Sequence, residues 1–211
     1  VRGVYNGNGK FRKTLKGTKG ENFNILSLAA GTGIVEKEWL EKGYNVDLQE
    51  CQEESLMPLK ELYPDLNIFI CDVRNLPLDN KYDLIFISAL EYVLSRKDYF
   101  ELLGGLLKIL CNNGIVFIVC VTNLTFIGII KGIIKKLLIK PKRGIHCGWK
   151  RTIGEHIAVG QRANLNVSAI YSFVGGDTET VKFYKPTFPY NLINNDSYVV
   201  GVEMVKRGVK L

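Results

Sequence analysis

The residues of this chain best able to do chemistry together are a turn of small residues and a carboxylate. The run Asn24-Ile25-Leu26-Ser27-Leu28 leads into Ala29-Ala30-Gly31-Thr32-Gly33, and Glu50 follows Gly33 by 17 residues, at the end of a second apolar run. A buried strand that delivers a glycine turn lets a ligand approach the backbone, and an acid on the next strand can hold a sugar. A ribose 2′,3′-diol offers two O–H donors, and an ionised Glu offers two acceptor oxygens in one plane. A dinucleotide-binding turn also needs a third glycine, three residues after the second. That position is Glu36, whose charge would face the pyrophosphate of NAD. The spacing therefore points to an adenosine ligand that carries no phosphate.

Later segments extend the set. Leu66 to Cys71 reads as a third strand, followed by Asp72-Val73-Arg74-Asn75-Leu76-Pro77. Tyr82-Asp83 opens a fourth, Leu84-Ile85-Phe86-Ile87, with Ser88-Ala89-Leu90-Glu91-Tyr92 after it. Leu107 to Gly114 reads as a helix and turn before a fifth strand, and Ala163 to Val167 as the turn before a sixth. In this order the pieces resemble the class I S-adenosylmethionine-dependent methyltransferases, from about residue 24 to about residue 205. That family shows strand-Gly-x-Gly, an acid ending the second strand, Asp-x-x-x-Leu-Pro after the third, and aromatic-Asp-apolar run at the fourth. A lone Gly-x-Gly is weak; the ordered set carries the resemblance.

The resemblance implies an enzyme that uses S-adenosyl-L-methionine. Gly31 and Gly33 would lie under the methionine part, with Leu28 and Ala29 in the same cradle. Glu50 would bind the ribose, and Cys51 would pack beside the adenine. Asp72 would accept from the adenine amino group while the Val73 N–H reaches a ring nitrogen. The Ser88 carbonyl would face the methionine amino group. The chain departs from the family at Ser27, where an acid is usual, and at Ala29, where a further glycine is usual. Each residue alone has an ordinary reading, as a strand-to-helix turn or a surface acid at a strand end. Together they fall at the ends of successive strands, on the edge where open α/β sheets bind ligands.

Methyl transfer from a sulfonium is an in-line displacement, so the protein aligns the acceptor and, for a hydroxyl, removes its proton. The catalytic candidates are Glu91 and Tyr92, which follow strand four, and the two histidines, His146 and His156. Glu91 and Tyr92 read equally well as helix-start residues, and a lone His is more often a surface or capping residue than a base. The segment after strand four, Ser88-Ala89-Leu90-Glu91, lacks the Asn/Asp-Pro-Pro-aromatic turn that related enzymes use on nucleic-acid amino groups. The chain also contains no Pro-Cys pair, as cytosine C5 methylation would need.

The net charge of +7 is unevenly spread. Residues 1–20 carry six Lys or Arg and residues 126–151 carry eight, neither with an acid; the rest has 14 basic residues against 21 acidic. Along Phe126 to Lys140, apolar residues lie mostly on one helical face and Lys131, Lys135, Lys136 and Lys140 on the other. Such a segment suits a lipid-like or acidic acceptor, or peripheral contact with an anionic membrane, and equally an ordinary docked helix. Gly175 to Asn195, rich in aromatics, could form the other wall of an acceptor pocket. The basic segments lack the interleaved stacking aromatics of single-strand binders, which argues against nucleic acid. Five scattered cysteines without a Cys-x-x-Cys pair suggest a reducing, cytoplasmic setting, no disulfides and no metal site.

Three functions therefore stand at this point. One is methyl transfer to an O or N acceptor on a small molecule, with lipid-linked, glycan-linked and phosphorylated acceptors left open. The second is an RNA-modifying or RNA-binding protein on the same fold, and the third a non-catalytic relative that keeps the cofactor.

The elements that would position these residues alternate. Helices are expected at Ile34 to Lys42, with Ile34, Val35 and Trp39 inward, at Glu53 to Leu62 and at Tyr99 to Leu110, with Phe100, Leu103, Leu107 and Leu110 on the inner face. Strands fall between them and at Val167 to Phe173 and Tyr198 to Val205. Alternation implies a parallel sheet wrapped by helices. The expected fold is α/β and Rossmann-like: seven strands, mostly parallel, helices on both faces and, by the resemblance, the last strand antiparallel. Residues 1–23 would form a basic arm, and 24–211 one domain with an acceptor-site insertion around 122–151.

Overall fold

Strands of near-continuous apolar sequence, such as Leu84-Ile85-Phe86-Ile87, need cover on both faces, and a sheet between two helical layers supplies it. The computed structural model describes residues 23–77, 79–120, 130, 148–173, 181–184 and 199–208. Residues 1–22 of the basic arm, most of the 122–151 segment including His146, and most of Gly175 to Asn195 lie outside the described residues.

In chain order the elements are β1 (Asn24–Leu28), α1 (Ile34–Leu40), β2 (Asn45–Glu50), α2 (Glu53–Leu62), β3 (Ile68–Ile70), a 3-10 turn (Val73–Asn75) and β4 (Tyr82–Ser88). Then follow α3 (Arg96–Ile109), β5 (Leu110–Cys120), α4 (Ile153–Arg162), β6 (Leu165–Phe173), β7 (Val181–Tyr184) and β8 (Val199–Lys206). The strands form one sheet in the order β3-β2-β1-β4-β5-β8-β6-β7. β3, β2, β1, β4 and β5 pair in parallel, and β8 inserts antiparallel between β5 and β6. The expected mostly parallel sheet with its antiparallel last strand is present. The short β7 adds an eighth strand at the edge, antiparallel to β6.

Residue alternation along the strands divides the core. Leu26, Leu28, Ile85 and Ile87 face α3 and α4, packing with Tyr99, Leu103, Leu106 and Val159. Ile25, Leu48, Leu84 and Phe86 face the other way, with Trp39 of α1 and Leu56 and Leu59 of α2. Trp39 meets Phe86 edge-on with ring centroids 5.0 Å apart.

The helices begin where their caps dictate. Ser95 accepts from the Asp98 N–H at 3.1 Å and donates to the Asp98 carboxylate at 2.7 Å, which starts α3 three residues earlier than the apolar pattern alone suggests. Thr152 caps α4 by accepting from the Glu155 N–H at 3.1 Å. That Thr-x-x-Glu signature was the available signal for α4, a helix the hydrophobic pattern did not reveal.

Two inner faces differ from expectation. Trp39 is buried as expected and Val35 partly so, but Ile34 is 57% exposed, and α1 buries Glu36 in its place. In α3 the buried set is Tyr99, Leu102, Leu103, Leu106 and Ile109, while Phe100 is 40% exposed. With the helix starting at its Ser95 cap, the face that meets the sheet is offset by one residue from the Phe100–Leu103–Leu107 stripe. Among the described residues, Cys51, Cys71, Cys111 and Cys120 are free thiols, no group of three His, Cys, Asp or Glu is placed to hold a metal, and no helix is long and apolar enough to cross a membrane.

Candidate functional site

Successive strands run outward from β1 to β3 on one side and from β4 to β5 on the other, so the order reverses between β1 and β4. A crevice opens at the carboxyl ends of strands at such a switch point. β1 gives way there to Ala29 at φ 52°, Gly31 at 59° and Gly33 at 66°. Left-handed backbone costs an L-residue about 1–2 kcal/mol and glycine little, so Ala29 carries strain that its glycine neighbours do not. A buried amide holds the strained turn: the Ala29 N–H donates to Gln49 Oε1 at 3.0 Å, and Gln49 Nε2 donates to the Cys71 carbonyl at 2.6 Å. Gln49 thereby ties together the ends of β1, β2 and β3. Sequence reasoning passed over it, since nothing about a Gln before an acid marks it out.

Glu50 ends β2 and anchors the turn from the other side. Its Oε2 accepts from the Gly31 N–H at 2.8 Å, and its Oε1 from the Cys51 N–H at 2.7 Å and the Cys51 thiol at 3.1 Å. Burial pushes the carboxyl up, but the Cys51 thiol and the Gly31, Cys51 and Gln52 N–H groups outweigh it and hold it below the ordinary range. Glu50 is therefore an anion at neutral pH, prearranged at the mouth of the turn. A Cβ on Gly33 would sit 2.5 Å from Leu59 Cδ2 of α2, whereas one on Gly31 would meet nothing within 4 Å. Gly33 is thus needed for packing, and Gly31 faces open space.

That space is a cavity of about 490 Å³ lined by Ala29, Ala30, Gly31, Thr32, Ile34, Val35, Glu36 and Ser88. None of these is basic, and one is acidic. Glu36 is 2% exposed and accepts from the Ser27 hydroxyl at 2.6 Å. Burial pushes its carboxyl up, against the hydrogen bonds from Ser27 and the local backbone. The chemistry of this wall fits a cationic ligand that carries a diol, as S-adenosylmethionine does, and disfavours a phosphate.

Asp72 follows β3 and pairs with Arg74: Oδ1 accepts from Arg74 N at 2.9 Å and Nε at 2.8 Å, and Oδ2 from the terminal guanidinium nitrogen at 2.5 Å, which leaves a lone pair of the exposed Oδ2 open. Those side-chain and backbone bonds hold the Asp72 carboxyl at about 2. Val73 is buried at the start of the 3-10 turn.

No family model matches the chain. Over 94 residues it is 31% identical to malonyl-[acyl-carrier protein] O-methyltransferase 2 of Ilyobacter polytropus. The match takes in 42% of this chain and 36% of that protein, so the chain spans about a third of the curated relative's length. Among solved structures, an S-adenosylmethionine-dependent methyltransferase from Clostridium acetobutylicum superposes over 94% of this chain and 89% of its own, with TM-score 0.65 at 11% identity. The glycopeptide N-methyltransferase MtfA, complexed with S-adenosyl-L-methionine, superposes over 96% of both chains with TM-score 0.60 at 14% identity. The fold is that of the class I methyltransferases.

β4 ends at Ser88. Ala89 takes φ 56°, a second strained alanine at the switch point, and its N–H donates to the Val119 carbonyl at 3.1 Å. Tyr92 is half-buried, and its carbonyl accepts from the Trp149 N–H at 2.5 Å. Gly148, at φ 85°, lies so close to Tyr92 that a Cβ would come within 2.5 Å of its ring. Glu91 is 2% exposed, and its carbonyl accepts from the Arg151 guanidinium, which also donates to the Leu94 carbonyl at 2.6 Å.

His156 lies deeper, 1% exposed on α4. Its Nδ1 pairs with the Tyr99 hydroxyl at 2.9 Å and its Nε2 with the Cys120 thiol at 3.4 Å. Burial, reinforced by Arg151, lowers its pKa to about 3. Arg151 itself lies over the Tyr99 ring, 4.7 Å from the centroid. The structure thus gathers Leu28, Ala29, Gly31, Gly33, Glu50, Cys51, Asp72, Val73 and Ser88 along one sheet edge. It sets His156 apart, inside the core.

Proposed function

We propose that this chain binds S-adenosyl-L-methionine in the cavity over Gly31 and transfers a methyl group to an O or N acceptor on a small molecule. The observation that carries the reading is Glu50, an ionised carboxylate held by the Gly31 and Cys51 N–H groups beside a cavity with no basic wall residue among the described residues. The cofactor, when bound, supplies a methyl on positively charged sulfur, so the protein need not activate the donor.

The chain's own residues then have three tasks. Glu50 takes the ribose hydroxyls, Asp72 and the Val73 N–H take the adenine edge, and the Ser88 carbonyl meets the amino group. On the acceptor side the reading gives contact to Tyr92 and Glu91, three and four residues past Ser88 in the order Glu91, Tyr92. We assign His156 a positioning role in the core rather than proton transfer, because both ring nitrogens already have side-chain partners and the ring stays neutral at physiological pH. The segment around 122–151 is read as acceptor-side, and its run of lysines suits an acidic or lipid-like acceptor. The malonyl-[acyl-carrier protein] O-methyltransferase relative supports an acidic one, since a malonyl group carries a free carboxylate.

Calorimetric titration with S-adenosylmethionine, S-adenosylhomocysteine and NAD tests the reading. Saturable binding of the first two and none of NAD is expected. No binding of either adenosyl ligand would overturn it. A methyl-transfer assay on carboxylate, hydroxyl and amine acceptors then separates the acceptor classes.

A further inference from the structure

We propose that Glu36 reads the positive charge of the ligand, receiving the amino group of the methionine moiety at the floor of the cavity. The proposal rests on the cofactor reading above and names the residue that makes this cavity select a cation.

Position is the first argument. Glu36 belongs to α1 yet reaches back nine residues to β1, where the Ser27 hydroxyl donates to its Oε1 at 2.6 Å. Ser27 and Glu36 are 1% and 2% exposed, and Glu36 lines the same cavity as Gly31 and Ser88. An amino group set against the Ser88 carbonyl therefore has a carboxylate within the same cavity wall.

Charge is the second. Burying a carboxylate without a cation is costly, and a partner arriving later offsets that cost. Among the described residues every ion pair lies elsewhere: Lys37 pairs with Glu41, Lys42 with Glu38, Arg74 with Asp72, Arg96 and Arg151 with Glu155, and Lys97 with Glu101. Among the described residues, Glu36 meets a hydroxyl and local backbone N–H groups and no cation. Burial raises its carboxyl pKa in the same sense, as for an acid awaiting a counter-charge.

Two odd features of the sequence meet at this pair. Ser27 stands where the resembling family carries an acid, and Glu36 where a dinucleotide turn would carry glycine. The hydrogen bond between them makes the two features one device: the helix supplies the carboxylate, and the strand serine aims it. Ser27 is then a positioning residue.

The test uses two ligands on the full chain: S-adenosylhomocysteine, and its analogue with hydrogen in place of the amino group. Calorimetry compares wild type with Glu36→Gln, which keeps a partner for Ser27 and removes the charge. A hydrogen bond to a charged group corresponds to about a 10- to 100-fold difference in affinity. Glu36→Gln is expected to weaken S-adenosylhomocysteine by about that factor and to leave the deaminated analogue unchanged. The same loss is expected on wild type when the analogue replaces S-adenosylhomocysteine, a measurement that needs no variant to fold. Equal affinity of wild type for both ligands, or an equal loss of both in Glu36→Gln, would overturn the proposal. If wild type binds neither ligand, the cofactor reading itself fails.

Discussion

Two polar clusters lie within a few residues of the same sheet edge, and they differ in what their hydrogen bonds enclose. At the ends of β1 and β2, Gln49, Glu50, Glu36 and Ser27 are bonded to backbone N–H groups or to one another, and Glu36 lines a cavity together with Gly31, whose N–H Glu50 holds. Beneath the ends of β4 and β5, Tyr99, His156 and Cys120 are bonded to one another with the Arg151 guanidinium over the tyrosine ring, and all four are at most 2% exposed. The first arrangement leaves acceptor oxygens and charge beside open space. In the second, the Tyr99, His156 and Cys120 polar atoms turn toward one another, while Arg151 Nε is buried without a hydrogen bond, 3.7 Å from Glu155 Oε1. Burial of a titratable group therefore does not mark function by itself; the empty volume beside it does.

The contrast is sharpest in a pair of substitutions. Glu50→Ala removes the carboxylate that holds Gly31 and is expected to reduce affinity for S-adenosylhomocysteine by about 100-fold or more, the cost of about two hydrogen bonds to a charged group. His156→Ala removes a buried ring that joins α3, α4 and β5. It is expected to lower unfolding free energy by about 3 kcal/mol while changing affinity by no more than about threefold, a margin of roughly 0.6 kcal/mol. Urea unfolding and calorimetry on both variants read this crossover. If Glu50→Ala binds normally, or His156→Ala abolishes binding while still folded, the division of labour is wrong.

A pH series probes the sealed cluster next. The His156 pKa is depressed from 6.5 to about 3, so the unfolded chain binds the extra proton between those values. Its stabilising contribution is complete above 6.5 and is lost as pH falls toward about 3. The urea midpoint of wild type should fall across that window, and that of His156→Gln should fall less. An unchanged slope in His156→Gln would show that the imidazole is not buried neutral.

Smaller effects test the turn. Ala29→Gly relieves a left-handed alanine but adds unfolded-state entropy, so a net gain of about 0.5 kcal/mol is expected. A loss of stability would show that the Ala29 backbone is not strained. Gly104→Ala, in the middle of α3 where a new Cβ would meet nothing within 4 Å, should add about 0.5–1 kcal/mol with no change in affinity. It gives the background against which the Ala29 result is judged.

Much of the cradle was legible in the chain. Gly31, Gly33, Glu50 and Asp72 could be placed because strand ends and turns are local, written in apolar runs and small residues a few positions apart. The antiparallel last strand was legible only through family resemblance, since pairing partners 82 to 90 residues apart, such as Val119 with Gly201 and Ile115 with Val205, leave no local trace. Thr152-x-x-Glu155 was a local signal for α4, but it lies where no long apolar stripe draws attention to it.

By itself, the sequence determined most of the element order apart from α4 and β7, the sheet edge that gathers the glycine turn and the acids, and the mismatch with a dinucleotide, all consequences of short-range spacing. Only the tertiary structure decided what the buried polar residues do. Glu36 looked like a missing glycine until α1 folded back onto Ser27. His156 was one of four candidates for a base until Tyr99, 57 positions away, and Cys120, 36 positions away, occupied its two nitrogens. A side chain's partners, and so its charge and reach, are set by contacts between distant segments, and those exist only once the chain has packed.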